Sequence, residues 1–274
     1  LLMRALALLA LTFLTLPAIA GETPWQEIAP GVRLRMISSD VLKPDGTTTV
    51  ALELDMPQSH NTYWRVPGES GIPTEIDTAG SSGVEDHEML WPYPRIETNG
   101  GLTDFVYRGS TVLPVVLKLA GERADFTASV VMGVCSDICV PAMASFRLPL
   151  DFLKPDRGQG LRIAQAMALA PQHWSDPVPL LGAVTWNVAA NALSVGVSDP
   201  RVEPLSVIAD GSAIGQLFGA PQKSPDGSAV LLPLLGGADQ AALEGKPVSL
   251  TFMTEMGPFS LSTTVGHEST SQAP

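Results

Sequence analysis

Positive charge is scarce in this sequence. Its 274 residues carry 16 Lys and Arg against 28 Asp and Glu, a formal net charge of −12, and the basic residues nowhere form a cluster. Nucleic-acid binding rests on Lys and Arg neutralising phosphates, so that class is set aside and no nucleic acid is expected as a partner. Cysteine is scarcer still, with only 2. A chain of this length can bury a real core and needs no disulfide framework, unlike a secreted domain of under ~80 residues. His60, His173 and His267 stand apart with no metal-ligand spacing between them. No G-x-S-x-G, P-loop or dinucleotide fingerprint occurs in a strand-to-helix context. Beyond residue 20 no uncharged apolar run approaches the length of a membrane span, so the mature chain is expected to be soluble.

The first twenty residues read as an address. Met3 and Arg4 give a short positive start, Ala5 to Leu16 is apolar apart from two threonines, and Ala18-Ile19-Ala20 is a small-x-small cleavage signal. Residues 1–20 are therefore expected to be a signal peptide. The exported remainder exceeds the usual size of one domain, and its 25 Gly and 24 Pro with few charged residues point to turn-rich β structure. Period-two alternation marks half-buried strands at Val32, Leu34 and Met36 and again at Val50, Leu52, Leu54 and Met56. Lys43-Pro44-Asp45-Gly46 between them is turn chemistry, since Pro fixes one φ and Gly accepts a positive one. Ser110 to Leu119 is a longer apolar strand whose internal Pro114 predicts an edge or a bulge. Phe126, Ala128, Val130, Met132 and Val134 alternate, and Phe146, Leu148 and Leu150 follow after a short loop. The polar, Gly- and Pro-containing stretch at Lys154 to Gly160 reads as a linker, and Leu161 to Ala170 as a helix stopped by Pro171. From Trp174 onward short strands resume, including one at Leu205 to Ala209. The expected fold is all-β: tandem immunoglobulin-like β-sandwiches with one short linking helix. The first sandwich spans 21–153, the linker and helix 154–171, the second sandwich 172–266, and a flexible tail 267–274.

The loop between two of these strands holds both thiols: Gly133-Val134-Cys135-Ser136-Asp137-Ile138-Cys139-Val140-Pro141. Cysteines four apart across a strand-to-strand turn can reach disulfide geometry. The loop they close is so short that chain entropy supplies only about 2 kcal/mol, the weak end of the range. Three readings fit this spacing: a stable structural disulfide, a redox-active pair, or a metal site. In the last, Cys135 and Cys139 with Met132 and Met143 would offer soft sulfur ligands suited to Cu(I). Met132, however, falls on the apolar face of its strand, where core filling is its default role. No strongly basic residue adjoins the pair in sequence, and Asp137 between the sulfurs is expected to disfavour thiolate.

Four segments, in order, resemble a known family: Tyr63-Trp64-Arg65-Val66-Pro67-Gly68-Glu69-Ser70-Gly71, Trp91-Pro92-Tyr93-Pro94-Arg95, Val112-Leu113-Pro114-Val115, and Val134-Cys135-Ser136-Asp137-Ile138-Cys139-Val140-Pro141. They are similar to the periplasmic N-terminal region of the thiol:disulfide interchange protein DsbD family, in particular its suppressor-of-copper-sensitivity branch, ScsB. The likeness covers about residues 25 to 150 closely and the second β region more loosely. It implies an immunoglobulin-like domain in the periplasm that acts as a thiol-disulfide oxidoreductase of the protein-disulfide reductase type. Electrons would come from a membrane-embedded thiol reductase, acting in trans, and pass to periplasmic thioredoxin-like or disulfide isomerase proteins. Cys135 and Cys139 would be the shuttling pair, with Cys139 forming mixed disulfides and no cofactor beyond the disulfide itself. Two other functions remain: a Cu(I)-binding or copper-tolerance protein using the same cysteines, and a non-catalytic interaction module with a structural disulfide. DsbD itself has a wider cysteine spacing and an aromatic-bearing cap loop that shields the pair; the corresponding stretch here, near Glu97-Thr98-Asn99-Gly100-Gly101, offers no aromatic cap.

Overall fold

The computed structural model describes residues 21–155, 158–236 and 243–266. The expected signal peptide at 1–20 and tail at 267–274 lie outside the described residues. Strands run in chain order as β1 (Gln26–Ala29), β2 (Val32–Ser38), β3 (Thr47–Asp55), β4 (Asn61–Gly68), β5 (Glu75–Asp77), β6 (Val84–Met89), β7 (Arg95–Asn99), β8 (Leu102–Arg108), β9 (Thr111–Leu119), β10 (Arg123–Cys135) and β11 (Cys139–Asp151). They form a five-stranded sheet, β1-β2-β3-β9-β6, and a six-stranded sheet, β11-β10-β4-β8-β7 with β5 added along β10. The period-two pattern explains the layering. In β10, Phe126, Ala128, Val130, Met132 and Val134 are all buried and meet Leu34, Leu52 and Leu113 of the facing sheet, while Thr127 and Ser129 point outward.

Pro114 departs from expectation. Its strand, β9, is interior, paired with β3 through Ala51↔Pro114 and with β6 on the other side. The β6 ladder ends at Met89↔Val115, and the carbonyl of Pro114 accepts from the amide of Leu90. The proline nitrogen turns to that same side and can return no bond to Leu90, so the β6 ladder ends there while the pairing with β3 is untouched.

The one α-helix among the described residues, α1 (Gly160–Ala168), lies on the outer side of β3, where its Ile163 is buried against Ile37 and Ala51. The remaining strands are β12 (Gln172–His173), β13 (Leu181–Asn187), β14 (Ala192–Val197), β15 (Ile208–Gly211), β16 (Gln216–Phe218), β17 (Gln222–Lys223), β18 (Ala229–Leu235), β19 (Pro247–Thr254) and β20 (Gly257–Thr264). The strand expected at Leu205 to Ala209 divides: Pro204–Ser206 is a 3-10 turn and β15 begins at Ile208. Pro204 opens the turn, and the Ser206 hydroxyl donates back to the Glu203 carbonyl. β18 pairs with β14 along its first part and with β16 at Leu234 and Leu235. A strand that changes partners in this way lets one ladder fold into two layers around a core of Trp186, Leu193, Phe218, Leu232 and Phe252. The fold is all-β, two immunoglobulin-like sandwiches with one short helix.

Charged and polar contacts join the two β regions. Nε of Arg65 in β4 donates to Asp210 in β15 at 2.8 Å, while its guanidinium carbon lies 4.0 Å from the ring centroid of Trp64. The Tyr93 hydroxyl donates to the Ser206 carbonyl at 2.5 Å. Ile208 and Leu217 pack against the apolar core of the first sheets.

Candidate functional site

β10 and β11 form a long antiparallel ladder that ends in the pair Cys135↔Cys139. The amide of Gly133 points away from β11 and donates to the Ile72 carbonyl at 3.3 Å. Odd-numbered residues of β10 therefore sit at non-hydrogen-bonded positions, where facing Cα atoms are closest. Cys135 and Cys139 occupy such a position, with Cα atoms 4.1 Å apart and a disulfide between them. The turn Ser136–Ile138 closes through the Ser136 amide and the Ile138 carbonyl, 3.2 Å apart.

The two cysteines differ in exposure. Cys135 is only 3% exposed, whereas Cys139 is exposed together with Asp137, Val140 and Pro141. Ile138 at 73% exposure adds apolar surface beside it, and Met143 at 75% adds more further along the same face of β11. A side chain that sequence reasoning missed sits against both sulfurs. The buried Tyr63 hydroxyl lies 2.9 Å from Sγ of Cys135 and 3.1 Å from Sγ of Cys139. Disulfide sulfurs carry no proton, so the phenol is the donor.

Tyr63 reaches this place because neighbouring residues of a strand face opposite ways. Trp64 enters the core, which leaves Tyr63 on the outer face of the six-stranded sheet beside Val106 and Cys135. Its ring lies in a slot between two glycines. A Cβ on Gly71 would stand 2.4 Å from Cδ1 of Tyr63, and one on Gly133 would stand 3.1 Å from Cδ2. The segment carrying Gly71 is tied down by hydrogen bonds from the Ser70 amide and hydroxyl to Asp104 and from the Glu69 amide to the Thr103 carbonyl. One signal in the sequence pointed here: an adjacent Tyr-Trp pair in a strand must bury its two rings on opposite faces.

A cation also arrives that the linear sequence hid. Cys135 faces Asn61 on β4, and Asn61 faces Arg108 on β8, so the three share one row on the outer face. Arg108 makes a two-pronged bond to Glu97, with Nε to Oε1 at 2.5 Å and Nη2 to Oε2 at 2.6 Å. Those bonds hold the Glu97 carboxyl below its usual range and the guanidinium above its own; Tyr63 adds to the latter effect, so its oxygen lies within electrostatic reach of Arg108. Glycines 100 and 101, at the tip of the β7–β8 hairpin, have positive φ and open space around them.

The methionines do not join the sulfurs. Met132 is fully buried in the core on the opposite face of β10. Met143 shares the cysteine face but stands four residues from Cys139 along β11, roughly 13 Å at strand rise. The structure therefore does not assemble the four-sulfur Cu(I) set: the core needs the thioether that the metal reading would borrow. Among the described residues no group of three or more His, Cys, Asp or Glu side chains could hold a metal ion, and no helix is long and apolar enough to cross a membrane.

Comparison with known proteins bears on this site. Residues 34–151 match the family model described as thiol:disulfide interchange protein DsbD, N-terminal, so the resemblance read from the motifs is borne out over the first sandwich. No curated protein matches the chain. Among solved structures, the N-terminal periplasmic domain of ScsB from Proteus mirabilis is similar at 22% identity and a TM-score of 0.70. The match covers 91% of this chain and 100% of that one. At that identity the likeness speaks for the two-sandwich fold, not for partners.

Proposed function

We propose that this protein is a periplasmic thiol-disulfide exchange module in which Cys135 and Cys139 relay electrons from a membrane-embedded thiol reductase to oxidised thioredoxin-like or disulfide isomerase proteins. One observation carries the reading: a disulfide between an exposed Cys139 and a buried Cys135, at the tip of a long ladder in a domain that matches the DsbD N-terminal family. Exchange requires an attackable sulfur, a leaving sulfur in line with it, and a second cysteine near enough to resolve the mixed disulfide. Cys139 is the accessible sulfur and Cys135 its resolving partner. Ile138, Val140 and Met143 supply apolar surface for a partner to cover while its own cysteine approaches.

The test is capture. In Cys135→Ser, the mixed disulfide on Cys139 cannot be resolved and should accumulate with a thioredoxin-like protein in an envelope extract, while Cys139→Ser captures nothing. The bridge of the native protein should also equilibrate with reduced thioredoxin-like proteins. A potential below about −300 mV, the range of inert structural disulfides, would overturn the reading.

A further inference from the structure

The Tyr63 hydroxyl, in contact with both sulfurs, is not explained by stability alone. Its ring occupies a slot between two glycines: a Cβ at Gly71 would collide with the ring, and one at Gly133 would crowd it. We propose that Tyr63 is a catalytic hydrogen-bond donor that stabilises the Cys135 thiolate released when a partner attacks Cys139. The proposal builds on the exchange reading and assigns the step that reading leaves unassisted.

The balance is simple. A partner thiolate forms a bond to Sγ of Cys139 while the Cys135–Cys139 bond breaks, and the electron pair of that bond stays on Sγ of Cys135. The partner thiolate is oxidised to a mixed disulfide and Cys135 is reduced, with no other reactant and no net proton change in the step. A buried thiolate is disfavoured by desolvation, and Cys135 is the buried sulfur. Thiols of lower pKa leave faster, so whatever offsets that penalty accelerates opening. The phenol, 2.9 Å from this sulfur, donates to it without moving. Arg108, in the same row and within electrostatic reach of the phenol oxygen, stabilises the partial negative charge that donation leaves on that oxygen. The 3.1 Å contact to Cys139 serves the step that completes reduction, when a second thiol of the partner attacks the partner's own sulfur in the mixed disulfide and Sγ of Cys139 leaves with the electron pair of that bond.

The experiment needs no partner, so its outcome is independent of whether capture succeeds. In the full chain carrying Cys139→Ser, thiolate absorbance of Cys135 is titrated with pH, with and without Tyr63→Phe. A hydrogen bond to a charged group contributes enough that its loss should raise the apparent thiol pKa by about one unit, a tenfold change. Reduction of the native bridge by dithiothreitol should slow by about threefold in Tyr63→Phe, since only part of the charge has reached the leaving sulfur in the transition state. An unchanged or lowered pKa would overturn the proposal. Where Tyr63→Phe fails to fold, ring-labelled tyrosine NMR of the Cys139→Ser protein decides. The Tyr63 Cζ resonance should titrate with the Cys135 thiol, and a resonance blind to that titration refutes the contact.

Discussion

A bridge that opens in every cycle has to leave the domain folded when it is open, and the expected cost of opening follows from the structure. Cys135 and Cys139 are four apart in sequence, so the disulfide closes a five-residue loop. The chain-entropy relation gives about 7 cal/mol/K for such a loop, roughly 2 kcal/mol at 25 °C. The strands that carry the sulfurs are held without it: β10 and β11 pair from Arg123↔Asp151 to the cysteines, and β10 anchors Phe126, Val130 and Met132 in the core. Reduction should therefore lower stability by about 2 kcal/mol. Melting of the reduced protein, followed by far-ultraviolet circular dichroism against the oxidised form, should fall by roughly 4–8 °C. Both forms should show the same strand signal before the transition. A reduced protein that is unfolded at room temperature, or a loss above about 4 kcal/mol, would mean that the bridge is a staple and that loop entropy was the wrong basis for the estimate.

Two further outcomes are expected. Burial pushes the Asp210 carboxyl up, but hydrogen bonds from Arg65 and Ser212 outweigh it and hold the group below the usual carboxylate range. The stability this adds is fully present above the unfolded-state pKa of about 4 and is lost as pH falls through the depressed folded value; Asp210→Asn should cost about 1 kcal/mol at neutral pH and flatten that part of the acid melting curve. Gly133→Ala places a Cβ 2.9 Å from Cβ of Ile72 and 3.1 Å from the Tyr63 ring, so urea unfolding should show a loss of about 1–3 kcal/mol, and an unchanged midpoint would show that the slot is not tight.

Much of the fold was legible because it depends on local alternation. Val50, Leu52 and Leu54 announce β3, Phe126 to Val134 announce β10, and Ile163 on its stripe announces α1, which ends within two residues of the expected place. Pro114 was misread because proline in a strand signals an edge, and whether a neighbouring strand stops one residue short is a tertiary fact. Leu205 was assigned to a strand from its apolar neighbours, while Pro204 beside it set a turn. At the site, the cysteines were visible because their partners lie close in sequence. Tyr63 is 72 residues from Cys135 and reaches it only by way of a ladder contact between β4 and β10. Arg108 reaches the same row one strand further on, so a charge survey of the loop alone saw Asp137 and no cation.

β11 borders the six-stranded sheet, and its backbone beyond β10 faces outward at odd-numbered positions, as the Ser145 carbonyl shows by accepting from the Gln26 side chain. Two of those outward positions, 141 and 149, are proline, which has no amide hydrogen to offer. A second molecule laid alongside would find gaps where it needed donors, so copies crowded together at high concentration are kept from zipping edge to edge into fibres. The protein can thus leave greasy side chains bare around its reactive sulfur for a visitor that docks through side chains, while refusing its own kind.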